Sequence, residues 1–436
     1  RGEGIRVGAG GRNRMSVPGI NRDRLSAAVG ALPNDPLAPV RREAAARFLT
    51  LGFPKVGEED WKYTNLADAA ALSNEWLASA DAVTVPAMHG PVELEAMRAI
   101  DACWIVVRDG TVDLGDIAMD GISVRSLATS GADIECELPM SAFNAALLRD
   151  GLHVTVAAGA KSARPLAILY ADSASNVVKQ TRVVVDAGPN SQLELIEYSV
   201  STEPGRQFTN AVCELRLADG ARIDHVRIQD REREHTGINR VTATVGRDAE
   251  YHHNSFDFGG ALTRNDVVAD IVGRGAMTSL NGLYLASGEQ HIDNHTSILH
   301  RIGPTTSTEE YRGILSGRSQ CVFNGKVVVF QGADGTDSQQ ANHNLLLSDR
   351  AEIDTKPELE IYADEVKCAH GATVGQLDTA ALFYLRARGL DIDQARRILT
   401  RAFAAGTLSK LAIAACHDWL AGMIDGRLEK LVGERQ

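Results

Sequence analysis

The chain lacks any apolar run near the roughly 18 residues that a membrane-spanning helix needs, so no segment reads as crossing a bilayer. It lacks paired cysteines. Cys103, Cys136, Cys213, Cys321, Cys368 and Cys416 stand far apart, with no CxxC and no short disulfide spacing. That usage fits a reducing compartment in which most thiols serve as small buried apolar groups. The N-terminus lacks the charged-then-apolar pattern of a secretory leader, which together with the cysteines points to the cytoplasm. Excess positive charge is missing too. A formal net charge of −12 argues against nucleic acid or an anionic membrane as the main partner and suits protein partners.

Local signatures of common enzyme classes are also absent. The sequence contains no GxxxxGK[ST] loop, no strand–GxGxxG–helix unit, no HExxH and no GxSxG. The chain is therefore expected to bind no nucleotide and to have no ATPase motif of its own.

The length of 436 residues allows two or three domains of about 150 residues, fewer if a repeat is present. Residues 1–14, Gly/Arg-rich and preceding Met15, read as a disordered upstream extension or an expression scar, with a transit-peptide fragment as the alternative. Residues 15–85 read as helical. Pro39 is tolerated in a first turn, and Gly52 and Pro54 stop the helix before the loop Glu59-Asp60-Trp61-Lys62-Tyr63-Thr64-Asn65. The two aromatics there predict a satellite cluster packed on the main body. Residues 86–162 are mixed, with a strand at 104–107 turning at Arg108-Asp109-Gly110. Residues 163–375 are β-rich, with strands over 181–186, 193–200, 212–217 and 327–330. Residues 376–436 return to helix, with Asp378 and Asp391 or Asp393 as N-caps, Gly389 and Gly406 as stops, and a third helix opened by Ser409.

A phrase recurs in the β-rich part: Ala218-Asp219-Gly220-Ala221, Gly246-Arg247-Asp248-Ala249, Gly273-Arg274-Gly275-Ala276 and Ser348-Asp349-Arg350-Ala351. Ala221, Ala249 and Ala276 are 28 and 27 residues apart. Strands and tight turns at that period predict a mainly β fold with a β-solenoid core, against an ordinary β-sandwich with chance turns. The helical tail would then cap the solenoid or dock a partner.

Histidines cluster at His252 with His253 and at His291, His295 and His300, each read as a surface or structural histidine. Cys368 and His370 carry more weight. They sit two apart in a strand-like run, so both side chains face one side. A thiolate and a neutral imidazole are good iron or zinc ligands, and Lys367 can favour the thiolate. Two ligands are too few for a cluster, which usually takes about four. Either the rest comes from elsewhere, or the pair is a buried Cys beside a hydrogen-bonded His.

From Phe53 onward the chain resembles the SufB/SufD scaffold family of the SUF iron–sulfur cluster assembly system, in its SufD branch. The resemblance rests on Glu59-Asp60-Trp61-Lys62-Tyr63-Thr64, Tyr311-Arg312-Gly313-Ile314-Leu315, Val322-Phe323-Asn324-Gly325-Lys326-Val327 and Asn342-His343-Asn344-Leu345-Leu346-Leu347. It continues through Asp354-Thr355-Lys356-Pro357-Glu358-Leu359-Glu360-Ile361, Ala372-Thr373-Val374-Gly375 and Phe383-Tyr384-Leu385-Arg386. His370-Gly371-Ala372-Thr373 stands where the SufB branch has His-Glu-Ala-Thr, and the cysteine SufB carries near Gln340-Ala341-Asn342 is missing. Against the usual SufD wording, Glu365 replaces Asp and Ala369 replaces Ser, and neither change removes a ligand. The resemblance implies a right-handed parallel β-helix, pairing with SufB, and docking of the ATPase SufC on the C-terminal helices. It also implies a transient nascent cluster or iron, with Cys368 and His370 as this branch's residues at the SufB interface. Left open are a homodimer in isolation, a purely structural SufB partner, and a polysaccharide-active β-helix enzyme.

Overall fold

The computed structural model describes residues 5–7, 16–79, 94–115 and 117–433. Strands alternate between two ten-stranded sheets, so each coil contributes one strand to each sheet. The coils form a parallel β-solenoid of about 8 turns with helices at both ends of the chain. Register offsets between stacked strands run from 26 to 32 residues. The expected strands are present and longer: Val177–Ala187, Gln192–Ser201, Gln207–Leu217 and Gln320–Val329.

The alanine phrase has a physical cause. Arg222, Glu250, Met277 and Thr306 are in register, and the residue before each closes the turn. The Ala221 carbonyl accepts from Glu250 N at 2.8 Å, and the Ala249 carbonyl accepts from Met277 N at 2.9 Å. All three alanines are buried where one coil turns over the last. Ala351 belongs to a different row. It stands over Ser319, whose carbonyl accepts from Glu352 N, at the opposite turn of the coil. That is why it falls 75 residues beyond Ala276, two and a half coils rather than a whole number.

Three apolar clusters organise the packing. Inward side chains such as Val185, Leu195, Val241, Val267 and Val327 fill the lumen. The N-terminal helices Arg22–Ala31, Ala38–Leu51 and Ala67–Ala78 cover the outside of one sheet at Val178, Val184, Phe208 and Ile238. The C-terminal helices cover the outside of the other sheet at Ile196, Val226, Leu283 and Ile314, with Trp419 edge-on to Tyr198 at 5.1 Å. These helices therefore flank the solenoid and do not cap its end.

Two details of the tail differ from the sequence reading. The helix Ile392–Leu408 runs through Gly406, where an added Cβ would lie 2.6 Å from Arg312 Cζ. Glycine there permits close approach to the solenoid and does not stop the helix. Ser409 closes that helix, and the next begins at His417. Asp378 and Asp391 cap as expected, Asp391 in a reciprocal box with Gln394. Within 1–14, set aside above as an extension, Ile5–Val7 forms a strand antiparallel to Glu352–Ile361.

The Glu59–Asn65 loop is locked onto the solenoid. Trp61 lies under the Arg264 guanidinium at 4.0 Å. Asp293, fully buried, accepts from Arg264 Nη1 at 2.7 Å and from the Thr64 hydroxyl, and pairs with His295 at 3.0 Å. Burial alone would raise the Asp293 carboxyl, but His295 and Arg264 outweigh it and hold it well below the usual carboxylate range. Removing the carboxylate strands the buried Arg264 charge. Asp293→Ala is expected to cost about 3–5 kcal/mol in denaturant unfolding, and a loss under about 1 kcal/mol would contradict this account.

Candidate half-site at the open end of the solenoid

The two ends of the solenoid differ. At the start, Ile122–Ser126 pairs antiparallel with Leu152–Val156, and Thr111–Asp113 with Cys103–Arg108, closing both sheets. At the other end Lys367–Gly375 pairs only with Asp337–Leu346, so its far edge is unpaired among the described residues. An unpaired edge and an uncovered inward row are what a further chain can cover.

Cys368 and His370 lie on that last strand. Cys368 is in register with Ser338, and His370 with Gln340. Ser338 and Gln340 are buried lumen residues, so Cys368 and His370 are the next inward positions of the same rows. No further coil covers them. Cys368 is half-buried against the lumen core, and His370 is exposed. The structure thus brings the expected pair to one face, as strand alternation requires.

The surroundings of Cys368 correct one expectation. Burial pushes its thiol up, and Asp337 pushes it further. Lys367 brings no compensating effect to the thiol. At rest Cys368 is a thiol.

Behind the pair, the lumen changes from aliphatic to polar. Ser338 Oγ is 2.8 Å from Ser307 Oγ, and Ser307 is 2.9 Å from His300 Nε2. Gln340 Nε2 donates to Glu309 Oε2 at 2.7 Å. Thr355 donates to Asn342 Oδ1 at 2.9 Å, and Tyr284 OH to Asn344 Oδ1 at 2.5 Å. Gly325 makes room for this layer, since a Cβ there would lie 2.3 Å from Gln340 Nε2. Burial pushes the Glu309 carboxyl up to about 7, against the lowering hydrogen bonds from Gln340 and Thr296. The histidines read as surface or structural divide. His253 and His300 are lumen residues, His295 serves the Asp293 lock, and His252 pairs with Glu250.

Sequence reasoning missed a second group of ligand-type side chains. Glu197, Cys213 and His225 place one donor atom each within 4.8 Å of one another, all buried. They come from three successive strands, and no local spacing relates them. Only the coil register reveals them, and Cys213 alone looks like a small core residue.

Comparison with known proteins gives one consistent result. Residues 170–403 match the family model described as SUF system FeS cluster assembly, SufBD core domain. The chain is 30% identical to the iron–sulfur cluster assembly protein SufD of Escherichia coli, over 90% of this chain and 93% of that one. It is 28% identical to a SufBD family protein of Synechocystis, over 91% and 90%. It is 30% identical to the chloroplastic protein ABCI7 of Arabidopsis thaliana, over 58% and 53%.

Two outcomes follow from the geometry. Asp337→Asn is expected to speed alkylation of Cys368 at neutral pH, read by mass spectrometry of the Cys368 peptide, because it removes a charge that opposes the thiolate. An unchanged rate would show that burial alone sets the thiol's reactivity. For Glu309, the folded pKa lies above the unfolded one, so its contribution to stability is complete below the unfolded value. That contribution is lost as pH rises through about 7. Between about pH 5 and about pH 8 the wild-type chain is expected to lose about 3 kcal/mol relative to Glu309→Gln in denaturant titrations. Parallel pH profiles for the two chains would refute it.

Proposed function

Since the chain belongs to the SufBD family of iron–sulfur cluster assembly proteins, we propose that it is the SufD-type scaffold of a SufB–SufC–SufD complex and has no catalytic activity of its own. Its substrate is a nascent cluster or its iron, bound transiently. The observation that carries this reading is the open end of the solenoid. Two good metal ligands finish the inward rows there, and nothing among the described residues covers them. A β-helix partner of the SufB type would stack on the free edge, cover the rows and supply the missing ligands.

The C-terminal helices offer the second contact. The helix Thr379–Ala387 buries none of its residues, and it exposes Phe383 and Tyr384. We assign this face to SufC. Its neighbour Ile392–Leu408 is tied to the solenoid, where Arg312 Nη1 donates to the Phe403 carbonyl at 3.1 Å and Lys410 pairs with Glu310 at 2.6 Å. Movement of the helices by an ATP-driven SufC dimer would act on the strand Thr306–Leu315 that carries Glu310 and Arg312. That strand lies two strands from Cys368 and His370 in the same sheet. Strain there would open the interface, and Cys368 would exchange its proton for iron as it becomes exposed.

No helix among the described residues is long and apolar enough to cross a membrane. We place the protein in the cytoplasm, by the compartment of the bacterial relatives and the spread of its cysteines. In the absence of SufB the same free edge can pair two copies of this chain.

A structural share without ligation is the competing reading, favoured by the packing of the Cys368 thiol against the lumen core. Reconstitution of the ternary complex with iron and sulfide separates the two. His370→Ala and Cys368→Ser are each expected to lower bound iron and sulfide severalfold while SufB and SufC still co-purify. Undiminished iron and sulfide in both variants would leave only the structural role.

A further inference from the structure

We infer that the solenoid lumen holds a second metal site, formed by Glu197, Cys213 and His225, that takes one borderline divalent transition-metal ion such as iron(II) or zinc(II). It is separate from the end site. His225 lies on Arg222–Asp230 and His370 on Lys367–Gly375, five strands apart in one sheet, or roughly 24 Å at the usual strand spacing.

The row of Cys213 is aliphatic, while in their own rows Glu197 is followed by Arg227 and His225 by His253. Cys213 is stacked between Val183 and Val241, and His225 follows Leu195. Two successive coils bring together a carboxylate, a thiol and an imidazole, from the strands Gln192–Ser201, Gln207–Leu217 and Arg222–Asp230. The donor atoms converge within 4.8 Å, with His225 Nε2 at 2.8 Å from Glu197 Oε1. A mixed N, O and S set suits a borderline cation and not calcium or magnesium.

A second set of residues stands where outer partners of a metal site would. Ligating histidines usually donate the other ring N–H, and ligating carboxylates are themselves hydrogen-bonded. Tyr170 OH donates to the distal oxygen Glu197 Oε2 at 2.8 Å. His225 Nδ1 is 3.2 Å from Tyr251 OH and 3.3 Å from His253 Nδ1. His253 Nε2 is buried with no hydrogen-bond partner among the described residues, a polar atom unused by the fold alone.

The local charges are paired before a metal binds. In the metal-free chain Arg227, 3.6 Å from Glu197, neutralises a carboxylate that stays ionised. Burial opposes that ionisation, but the His225 hydrogen bond and nearby charges hold Glu197 at about 2. On binding, the metal replaces the Sγ proton of Cys213, which leaves to solvent. The single ring proton of His225 moves from Nε2 to Nδ1, which then donates a hydrogen bond to the Tyr251 hydroxyl oxygen.

The test uses cobalt(II) as the probe. The full chain carrying Cys368→Ser and His370→Ala is produced in cobalt-supplemented medium and purified without chelator. Expected are one cobalt per chain, a thiolate-to-cobalt charge-transfer band, and one sulfur in the X-ray absorption shell. Adding Cys213→Ser should remove the band and lower retained cobalt at least about tenfold. No bound cobalt, a shell without sulfur, or a band untouched by Cys213→Ser would each overturn the site. The absorption shell is read on a chain that keeps Cys213, so the test survives a poorly folding Cys213→Ser. The reading of Cys368 and His370 rests on cluster reconstitution and is unaffected by either result.

Discussion

A solenoid coil cannot cover its own inward row; only the next coil can. Most features of this molecule follow from that constraint. Along the middle of the chain the rule is met in both directions, and the lumen is filled by largely aliphatic rows that also enclose Glu197, His225 and His253. At the first coil it is met by short antiparallel strands. At the last coil Ile5–Val7 lies along part of Glu352–Ile361. In the other sheet the inward rows end uncovered, and the end that the architecture leaves uncovered is also where a thiol and an imidazole stand.

The same constraint explains the polar layer behind the pair. An inward row about to be exposed cannot be wholly apolar without becoming an aggregation surface, and a row about to be covered cannot carry unsatisfied polar groups. Ser307 bonds Ser338, Thr355 bonds Asn342 and Gln340 bonds Glu309. That satisfies most but not all of the layer, since Gln340 Oε1 and Glu309 Oε1 have no partner among the described residues. Glu309 extends this layer inward. Held up near neutrality by burial, it is a carboxyl that the lumen tolerates best in its protonated form.

How much was legible in the sequence depended on the range of each signal. The alanine period revealed the coil because the same buried turn position recurs in successive coils. It misled at Ala351, where the same phrase serves the opposite turn. Caps were legible because an N-cap bond spans only two or three residues, as at Asp378 and Asp391. Gly406 was misread because its reason is tertiary, the approach of Arg312. Cys368 and His370 were visible as a pair because strand alternation is local. The thiol's environment was not, since Asp337 reaches it from the neighbouring strand. Glu197, Cys213 and His225 were invisible, because one level of a coil gathers residues that the sequence scatters.

The helices complete the physical picture by their placement. They cover outer faces and leave the open end alone, so the molecule presents two separate uncovered surfaces. One is the uncovered edge and rows of the last coil. The other is the helical tail, whose first helix buries nothing while its second is fastened to the strand Thr306–Leu315 through Arg312, Glu310 and Lys410. That strand also carries Glu309, whose side chain lies in the lumen behind His370. Adjacent residues on a strand face opposite sides, so Glu309 and Glu310 put the lumen layer and the helical anchor on the same backbone. A displacement of the helices that tilts this strand must move Glu309 with it, and Gln340 bonds Glu309 directly. The route from the helical surface to the open end is thus one strand thick. It needs no conformational change beyond a shift of packed elements against a rigid sheet.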